Sequence, residues 1–446
     1  MGIAFIKKIN EKTPYWVKAP FSKFIRNKLI NNHTFLETIE MLDRADTFSF
    51  EQVEKIQLEK LKETLIHAYK HSDYYSELFD SISFDPYSVK SIEDLKKIPI
   101  LNKEDLKNRF EELQADDIDD YYLVTTGGTS GEPTKVNMER KAIYREWAFI
   151  YHFWGKYGYD YKKSKIATFR GVDLGKSICQ INPLYSEIRM NPFLMNIENI
   201  EEYQRRINKY GASFLYGYPS VIYNYCRLAQ KKRIDLTGKY KAALLISENL
   251  YDFQKEMIED VIKCPIAIFY GHSERAVFAE KDENGYLFNP FYGVTEISFS
   301  GEPVVTGFIN QKTPLIRYRV DDIVEKTADN RFIIVGHHNC DVLLGDKGEQ
   351  ISMAAVNFHD DTFEGIDAYQ FIQDELGTCI VCVVSSAPVS QEQIDKIKHR
   401  VEKKLGGKFK CRIEIRDKIL YTSRGKYQML IQNIDKSNIS DISKTN

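Results

Sequence analysis

At 446 residues with 43% hydrophobic side chains, the chain is too long for one core and apolar enough to build two or three. Basic residues number 62 and acidic ones 64, a formal charge of −2, which argues against the basic excess of a nucleic-acid-binding chain. No apolar run reaches the roughly 18–20 residues of a membrane-spanning helix. The short apolar stretch Met1–Ile6, with its lysines after it, lacks the order of a signal peptide. Seven cysteines scattered from Cys179 to Cys411 form no disulfide framework, so the expectation is a cytoplasmic protein with free thiols.

Residues 1–28 carry seven lysines and arginines against Glu11 alone, with Phe5, Tyr15, Trp16, Phe21 and Phe24 interleaved. Peripheral contact with an anionic membrane surface is one reading. A solvated, partly packed arm is the stronger one, because Pro14 and Pro20 interrupt a long amphipathic helix. Helical spacing follows over Phe35–Arg44 and Glu51–Phe79, as in Leu58, Leu61, Leu65 and Ile66. A loop with Pro86 and Pro99 leads to Thr125–Lys135, where three glycines and five hydroxyls make an anion-cradling turn. It is not the common P-loop, since the positions five after Gly127 and Gly128 are Glu132 and Pro133 instead of the required glycine.

Short β-type runs at Lys165–Phe169, Ser213–Tyr218, Ala242–Ile246 and Pro265–Tyr270 alternate with helix-length segments Met195–Tyr210, Ser220–Lys232 and Tyr251–Ile262. That alternation predicts βαβ units and an α/β fold with a mostly parallel, doubly wound sheet. From Gly293 to Val335 the runs Glu296–Ser300, Pro303–Ile309, Ile323–Lys326 and Arg331–Val335 leave no room for helices and predict an antiparallel β subdomain. Beyond about residue 338 a small α+β unit follows. It has strands at Thr378–Val384 and Cys411–Ile415 and an amphipathic helix at Gln391–Leu405, with Ser390 and Gln393 as a capping box. The expected domains are 1–337 and 338–434, with a polar, disordered tail at 435–446.

Four segments complete the glycine-rich turn. Tyr270-Gly271-His272-Ser273-Glu274 ends a strand, where open α/β sheets bind ligands; the tyrosine offers a face for a base and the glutamate a hard oxygen for Mg²⁺. Asp322 lies in Pro314–Asp322, where a carboxylate can accept hydrogen bonds from ribose hydroxyls. Ile334-Val335-Gly336-His337 marks the join to the terminal unit, and Arg424-Gly425-Lys426-Tyr427 is a late polar loop. Cys379 and Cys382 have redox or zinc spacing but lie within a β-type run and read as core. His337, His338 and Cys340 do not complete a tetrahedral set.

In this order and spacing the segments resemble the adenylate-forming superfamily, above all phenylacetate–CoA ligase-like proteins, including the branch that acts in capsule and lipopolysaccharide biosynthesis. His67-Ala68-Tyr69, Tyr74-Tyr75, Ser91–Lys103, Tyr216–Ser220 and Ser247-Glu248 are similar to that subgroup. The resemblance implies ATP-dependent activation of a small carboxylic acid to an acyl-adenylate, then transfer to coenzyme A, a carrier protein or an amino group on a sugar. It also implies a mobile terminal domain. It assigns phosphate binding to Thr126, Gly127, Gly128, Thr129, Ser130 and Gly131, and the nucleotide to Ser247, Glu248, Tyr270, Gly271, His272, Ser273, Asp322 and His337. Glu274 would hold Mg²⁺ and Lys426 would be catalytic. Three departures stand out: Gly127 for a hydroxyl residue, Val320-Asp321-Asp322 for Thr-Gly-Asp, and His337 for arginine. The alternative they allow is a catalytically silent nucleotide-binding scaffold. The region Glu280–Leu287 lacks the Cys/His zinc ligands of some relatives.

Overall fold

The computed structural model describes residues 15–125, 134–170, 174–327, 331–337, 342–346, 350–353, 361–407, 409–421 and 427–434. These fall into two compact units. The larger holds the described residues up to Val320 and, beyond, Lys326–Ile333; the smaller holds Asp321–Glu325 and the described residues from Ile334 onward.

Helix α1 (Tyr15–Ile30) runs through Pro20, contrary to the expected interruption. A proline inside a helix loses one backbone hydrogen bond and crowds the turn before it, so tertiary anchoring must offset that loss. Arg26 is buried and donates to the carbonyl oxygens of Leu184, at 3.3 Å, and Tyr161. One of the basic residues of this arm therefore packs inward. Helix α2 (His33–Ala45) is capped by Asn32, which accepts from the Thr34 N–H at 3.0 Å. Helix α3 (Phe50–His71) starts on a reciprocal Ser49/Gln52 capping box. The apolar spacing over Glu51–Phe79 reads as one run, yet the chain breaks at Ser72 and restarts as α4 (Asp73–Ser81). Ser72 is extended, and its Oγ donates to the Glu112 carbonyl at 2.9 Å. That contact lies 40 residues away in the chain, out of reach of local periodicity.

Strands β1 (Tyr121–Thr125) and β2 (Lys135–Glu139) pair antiparallel, from Tyr121 opposite Glu139 to Thr125 opposite Lys135. They bracket the glycine-rich segment, and the sequence reading had no strand on either side of it. Helix α5 (Arg140–Gly155) continues from β2.

The main sheet is built on parallel strands β3 (Ile166–Phe169), β6 (Phe214–Gly217), β7 (Ala242–Leu245) and β8 (Ile266–Gly271), adjacent in that order. On the far side of β3 lie β5 (Glu187–Met190), parallel, and β4 (Cys179–Asn182), antiparallel to β5. Beyond β8, β9 (Phe278–Asp282) and β10 (Gly285–Phe288) continue antiparallel. Neighbouring residues on the strands point to opposite faces. Ile166, Phe214, Ala242, Leu244 and Ala267 join a core with Phe149, Phe153 and Trp154 of α5 and with Phe35, Leu65 and Phe79. Ala167, Leu215, Ala243, Leu245 and Ile268 join a second core with helices α6 (Ile200–Tyr210), α7 (Pro219–Lys231) and α8 (Asp252–Ile262). Both faces are thus covered, as a doubly wound α/β sheet requires.

The expected β subdomain is smaller than the sequence suggested. Strands β11 (Gly293–Ile297), β12 (Pro303–Gly307) and β13 (Tyr318–Arg319) form a three-stranded antiparallel sheet whose Val294 and Val305 enter the first core. The other two runs, β14 (Asp322–Lys326) and β15 (Phe332–His337), extend the main sheet instead: Phe332 stands opposite Tyr286 of β10, and β14 lies outside β15. Strand patterns give the runs but not their partners.

In the smaller unit, β16 (Val342–Leu344) and β17 (Gln350–Ser352) form a hairpin. Strands β18 (Ala368–Gln373), β19 (Thr378–Val384), β20 (Lys410–Ile415) and β21 (Leu430–Gln432) make a sheet in the order β20-β19-β18-β21. Helix α9 (Gln391–Lys404) buries Ile397 and Val401. Ser390 caps it by accepting from the Gln393 N–H at 3.2 Å, but the capping box does not form. The Gln393 side chain donates to the Glu364 carbonyl at 2.6 Å instead.

Candidate active site

Because β3, β6, β7 and β8 are parallel neighbours, their carboxyl ends lie along one edge of the sheet. That edge carries Arg170, Tyr216–Ser220, Ser247-Glu248 and Tyr270–Glu274. Ligands bind open α/β sheets at this kind of edge. Local backbone is specialised there. A Cβ on Gly217 would lie 1.9 Å from the Phe169 carbonyl oxygen, so only glycine lets β6 pass β3 this closely. Ser247 has φ +64°, a left-handed conformation that a non-glycine residue holds only when its surroundings impose it. Next to it, Glu248 Oε2 accepts from the Ser220 N–H at 3.0 Å, placing a carboxylate at the N-terminus of α7. Ser220 Oγ is buried and has no hydrogen-bond partner among the described residues.

At the end of β8, Tyr270 is half-buried. Its ring meets His272 edge-on at 4.7 Å between centroids, with Tyr286 at 6.2 Å and Phe288 at 6.4 Å. Gly271 and Ser273 are exposed. Glu274 is 6% exposed, and among the described residues its carboxylate has no hydrogen-bond or ion-pair partner. A carboxylate left open in this way offers hard oxygens to a cation. Arg275, with φ +53°, turns the chain back. Its guanidinium pairs with Glu146 of α5 and donates from Nη1 to Tyr122 Oη of β1 at 2.7 Å. Burial pushes the Glu146 carboxyl above the usual range, and Arg275 opposes that rise. The loop carrying Glu274 is thus fastened to the strand that runs directly into the glycine-rich segment.

Helix α5 divides its aromatics. Phe149, Phe153 and Trp154 are core, whereas Tyr144 and Trp147 are part-exposed. Trp147 meets Tyr185 edge-on at 5.8 Å. Arg170 lies 5.7 Å over the Tyr216 ring, and its Nη1 is 3.4 Å from Tyr216 Oη. Neither Arg170 nor Tyr185 carries a motif that sequence reading could find; only the sheet order brings Arg170 to this edge.

In the smaller unit, Asp322 is buried at the start of β14 and His337 ends β15. Thr126–Gly131, Lys426 and the tail from 435 lie outside the described residues, as do His338 and Cys340. The residues on both sides of the Lys426 segment are described, and Gln370 of β18 holds them. Its buried amide donates to the carbonyl oxygens of Leu420, at 2.9 Å, and Gln428, at 2.7 Å, and accepts from the Leu420 N–H at 3.0 Å. Tyr421 and Tyr427 bridge across the segment's base, and Tyr427 Oη donates to the Tyr369 carbonyl at 2.6 Å. Cys379 and Cys382 are both buried. Among the described residues, no helix is long and apolar enough to cross a membrane.

Comparison with known proteins adds four findings. The family described as the CapK C-terminal domain matches residues 343–433. "Protein CapK" of Staphylococcus aureus is 25% identical over 438 residues, covering 92% of this chain and 95% of that one. Phenylacetate-coenzyme A ligase of Escherichia coli (strain K12) is 31% identical over 111 residues, 24% of this chain and 25% of that enzyme's length. Among solved structures, a 2-hydroxyisobutyryl-CoA ligase in the postadenylation state, in complex with R3-HIB-AMP, superposes with a TM-score of 0.66. It covers 90% of this chain and 94% of that one at 15% identity, a likeness of fold.

Proposed function

We propose that the chain is an adenylate-forming, phenylacetate–CoA ligase-like enzyme, as its likeness to Protein CapK and to phenylacetate-coenzyme A ligase supports, and that it activates a small carboxylic acid with ATP and transfers the acyl group to coenzyme A. The acid's carboxylate attacks the α-phosphorus, pyrophosphate leaves, and the thiol displaces AMP from the acyl-adenylate. The observation that carries this reading is Arg275, which ties the Glu274 loop to β1 through Tyr122, so two segments far apart in the chain meet at one sheet edge. Likeness to Protein CapK along nearly the whole chain supports a finer reading, a role in surface-polysaccharide biosynthesis.

In this reading Thr126, Thr129, Ser130 and the N–H groups of Gly127, Gly128 and Gly131 hold the departing phosphates. Tyr270 packs on adenine, beside Gly271, His272, Ser273, Ser247 and Glu248. Asp322 accepts from the ribose, and His337 stands at the joint about which the terminal domain turns between half-reactions. Glu274, which has no partner among the described residues, fits a hard divalent cation. Mg²⁺ bound there would screen the two anions that must meet. Tyr144, Trp147, Tyr185 and Tyr216 offer the acid an aromatic wall. Lys426 neutralises charge as it develops at the reacting phosphate.

Pyrophosphate–ATP exchange, run acid by acid, tests the proposal. Exchange that requires one acid supports it. Nucleotide binding without exchange for any acid identifies a silent scaffold, and ADP release identifies a kinase. Lys426→Ala is expected to cost about 3–4 kcal/mol of transition-state stabilisation, roughly a thousandfold in rate, with ATP affinity nearly intact.

A further inference from the structure

One set of metal-ligating side chains takes no part in the chemistry above. We propose that His67, His71 and Asp117 form a binding site for a divalent transition-metal ion of the zinc type, separate from the Mg²⁺ site. Helix α3 places the two histidines at i and i+4, one above the other on the same face. The loop before β1 supplies the aspartate. That loop is pinned to the end of the helix, where the Asp116 N–H donates to the His71 carbonyl at 2.9 Å.

The three side chains converge on one point. His67 Nε2 is 3.1 Å from Asp117 Oδ1 and 3.2 Å from Oδ2, and His71 Nε2 is 3.8 Å from Oδ2. All three ligating atoms lie within 4.8 Å of one another. Ligands about 2.0–2.2 Å from a tetrahedral zinc stand roughly 3.3–3.6 Å apart, so small side-chain rotations suffice to close them on an ion. His71 is also oriented for the task. Its Nδ1 is 2.9 Å from Asp116 Oδ1, and a carboxylate accepting from Nδ1–H leaves the Nε2 lone pair free, as in metal sites with an outer carboxylate. His67 has no such support, since its Nδ1 is buried and unpaired, which makes it the weaker imidazole. The side chains are 16%, 32% and 38% exposed for His67, His71 and Asp117, which leaves the fourth position to water. Two neutral imidazoles and two carboxylates carry net negative charge, which draws a cation. Mixed nitrogen and oxygen donors select zinc, cobalt or nickel over magnesium and calcium.

The test titrates the full-length chain with Co²⁺ near neutral pH and follows visible absorption. One equivalent should bind with the intense spectrum of low-coordinate cobalt, and Zn²⁺ should displace it while excess Mg²⁺ does not. Asp117→Asn, nearly isosteric and at the surface, should weaken binding at least about tenfold, and Asp116→Asn should weaken it about 10–100-fold through the His71 ring. Zn²⁺ should raise the melting temperature of the natural chain and leave that of Asp117→Asn unmoved. No saturable binding, or equal affinity in the His67→Ala/His71→Ala double variant, would overturn the site and leave the cluster as hydrogen-bonded His–Asp pairs.

Discussion

In the larger unit, a partly buried charge pair fastens the chain beside the proposed site: Arg275 meets Glu146 and donates to Tyr122. In the smaller unit, uncharged amides do the equivalent work. Gln370 grips both sides of the Lys426 segment, and Gln373 accepts from the Leu344 N–H at 2.9 Å and donates to the Leu344 carbonyl at 2.7 Å. The difference has physical consequences. A buried ion pair fixes geometry strongly, yet it leaves a stranded charge when one partner goes. A buried amide satisfies several backbone groups at once with no charge to strand, so its loss is milder and more local.

The strongest way to break the comparison is Arg275→Met, which leaves the Glu146 carboxylate, 20% exposed, without its ion pair. We expect a loss of about 3 kcal/mol, the low end for an ion pair that keeps some solvent, read by chemical denaturation, together with loss of pyrophosphate exchange. Adding Glu146→Gln should recover much of the stability but not the exchange, because the tie to β1 stays broken. If the single variant costs under about 1 kcal/mol, the pair behaves like a surface ion pair and the contrast between the units disappears.

Next in size is Gln370→Leu. It orphans the Leu420 N–H and the carbonyls of Leu420 and Gln428, at about 1–3 kcal/mol. If the amide positions the Lys426 segment, kcat should fall while the ATP concentration for half-saturation stays close to normal. Unchanged turnover in a folded Gln370→Leu protein would confine its role to stability.

Much of the α/β unit was legible because its strands and helices bury apolar residues at periods of 2 and 3.6. Ala242–Leu245 and Asp252–Ile262 lie within a residue of the sequence reading. What escaped it depends on partners distant in the chain. Ser72 breaks a periodic run by bonding to Glu112. Pro20 sits inside α1, and Arg26 holds that helix. Strands β14 and β15 read as subdomain but pair with the main sheet. The motifs at Tyr270–Glu274 and Ser247-Glu248 were visible as letters. Arg275 and Arg170, which lie beside them, were not, nor was Gln370, which holds the residues on either side of Lys426, because nothing in a local window distinguishes a clamping glutamine from a solvated one.

The smallest effect sharpens the comparison at the surface of the smaller unit. Asp361 pairs with Lys396, at 2.8 Å, and with Arg400, both on α9. Hydrogen bonds from Lys396 and then Arg400 hold its carboxyl down at about 2, against an ordinary value of 3.8. A depressed folded-state value means that the stabilisation is complete above the unfolded value and is lost as pH falls through the folded one. Asp361→Asn should therefore be less stable than the natural chain near neutral pH, with the gap closing between about pH 4 and pH 2 and shrinking at high salt. Denaturation midpoints across that range measure it. A gap independent of pH would mean that Asp361 acts through packing. The smaller unit would then rely on uncharged contacts at its surface as it does around Gln370 and Gln373.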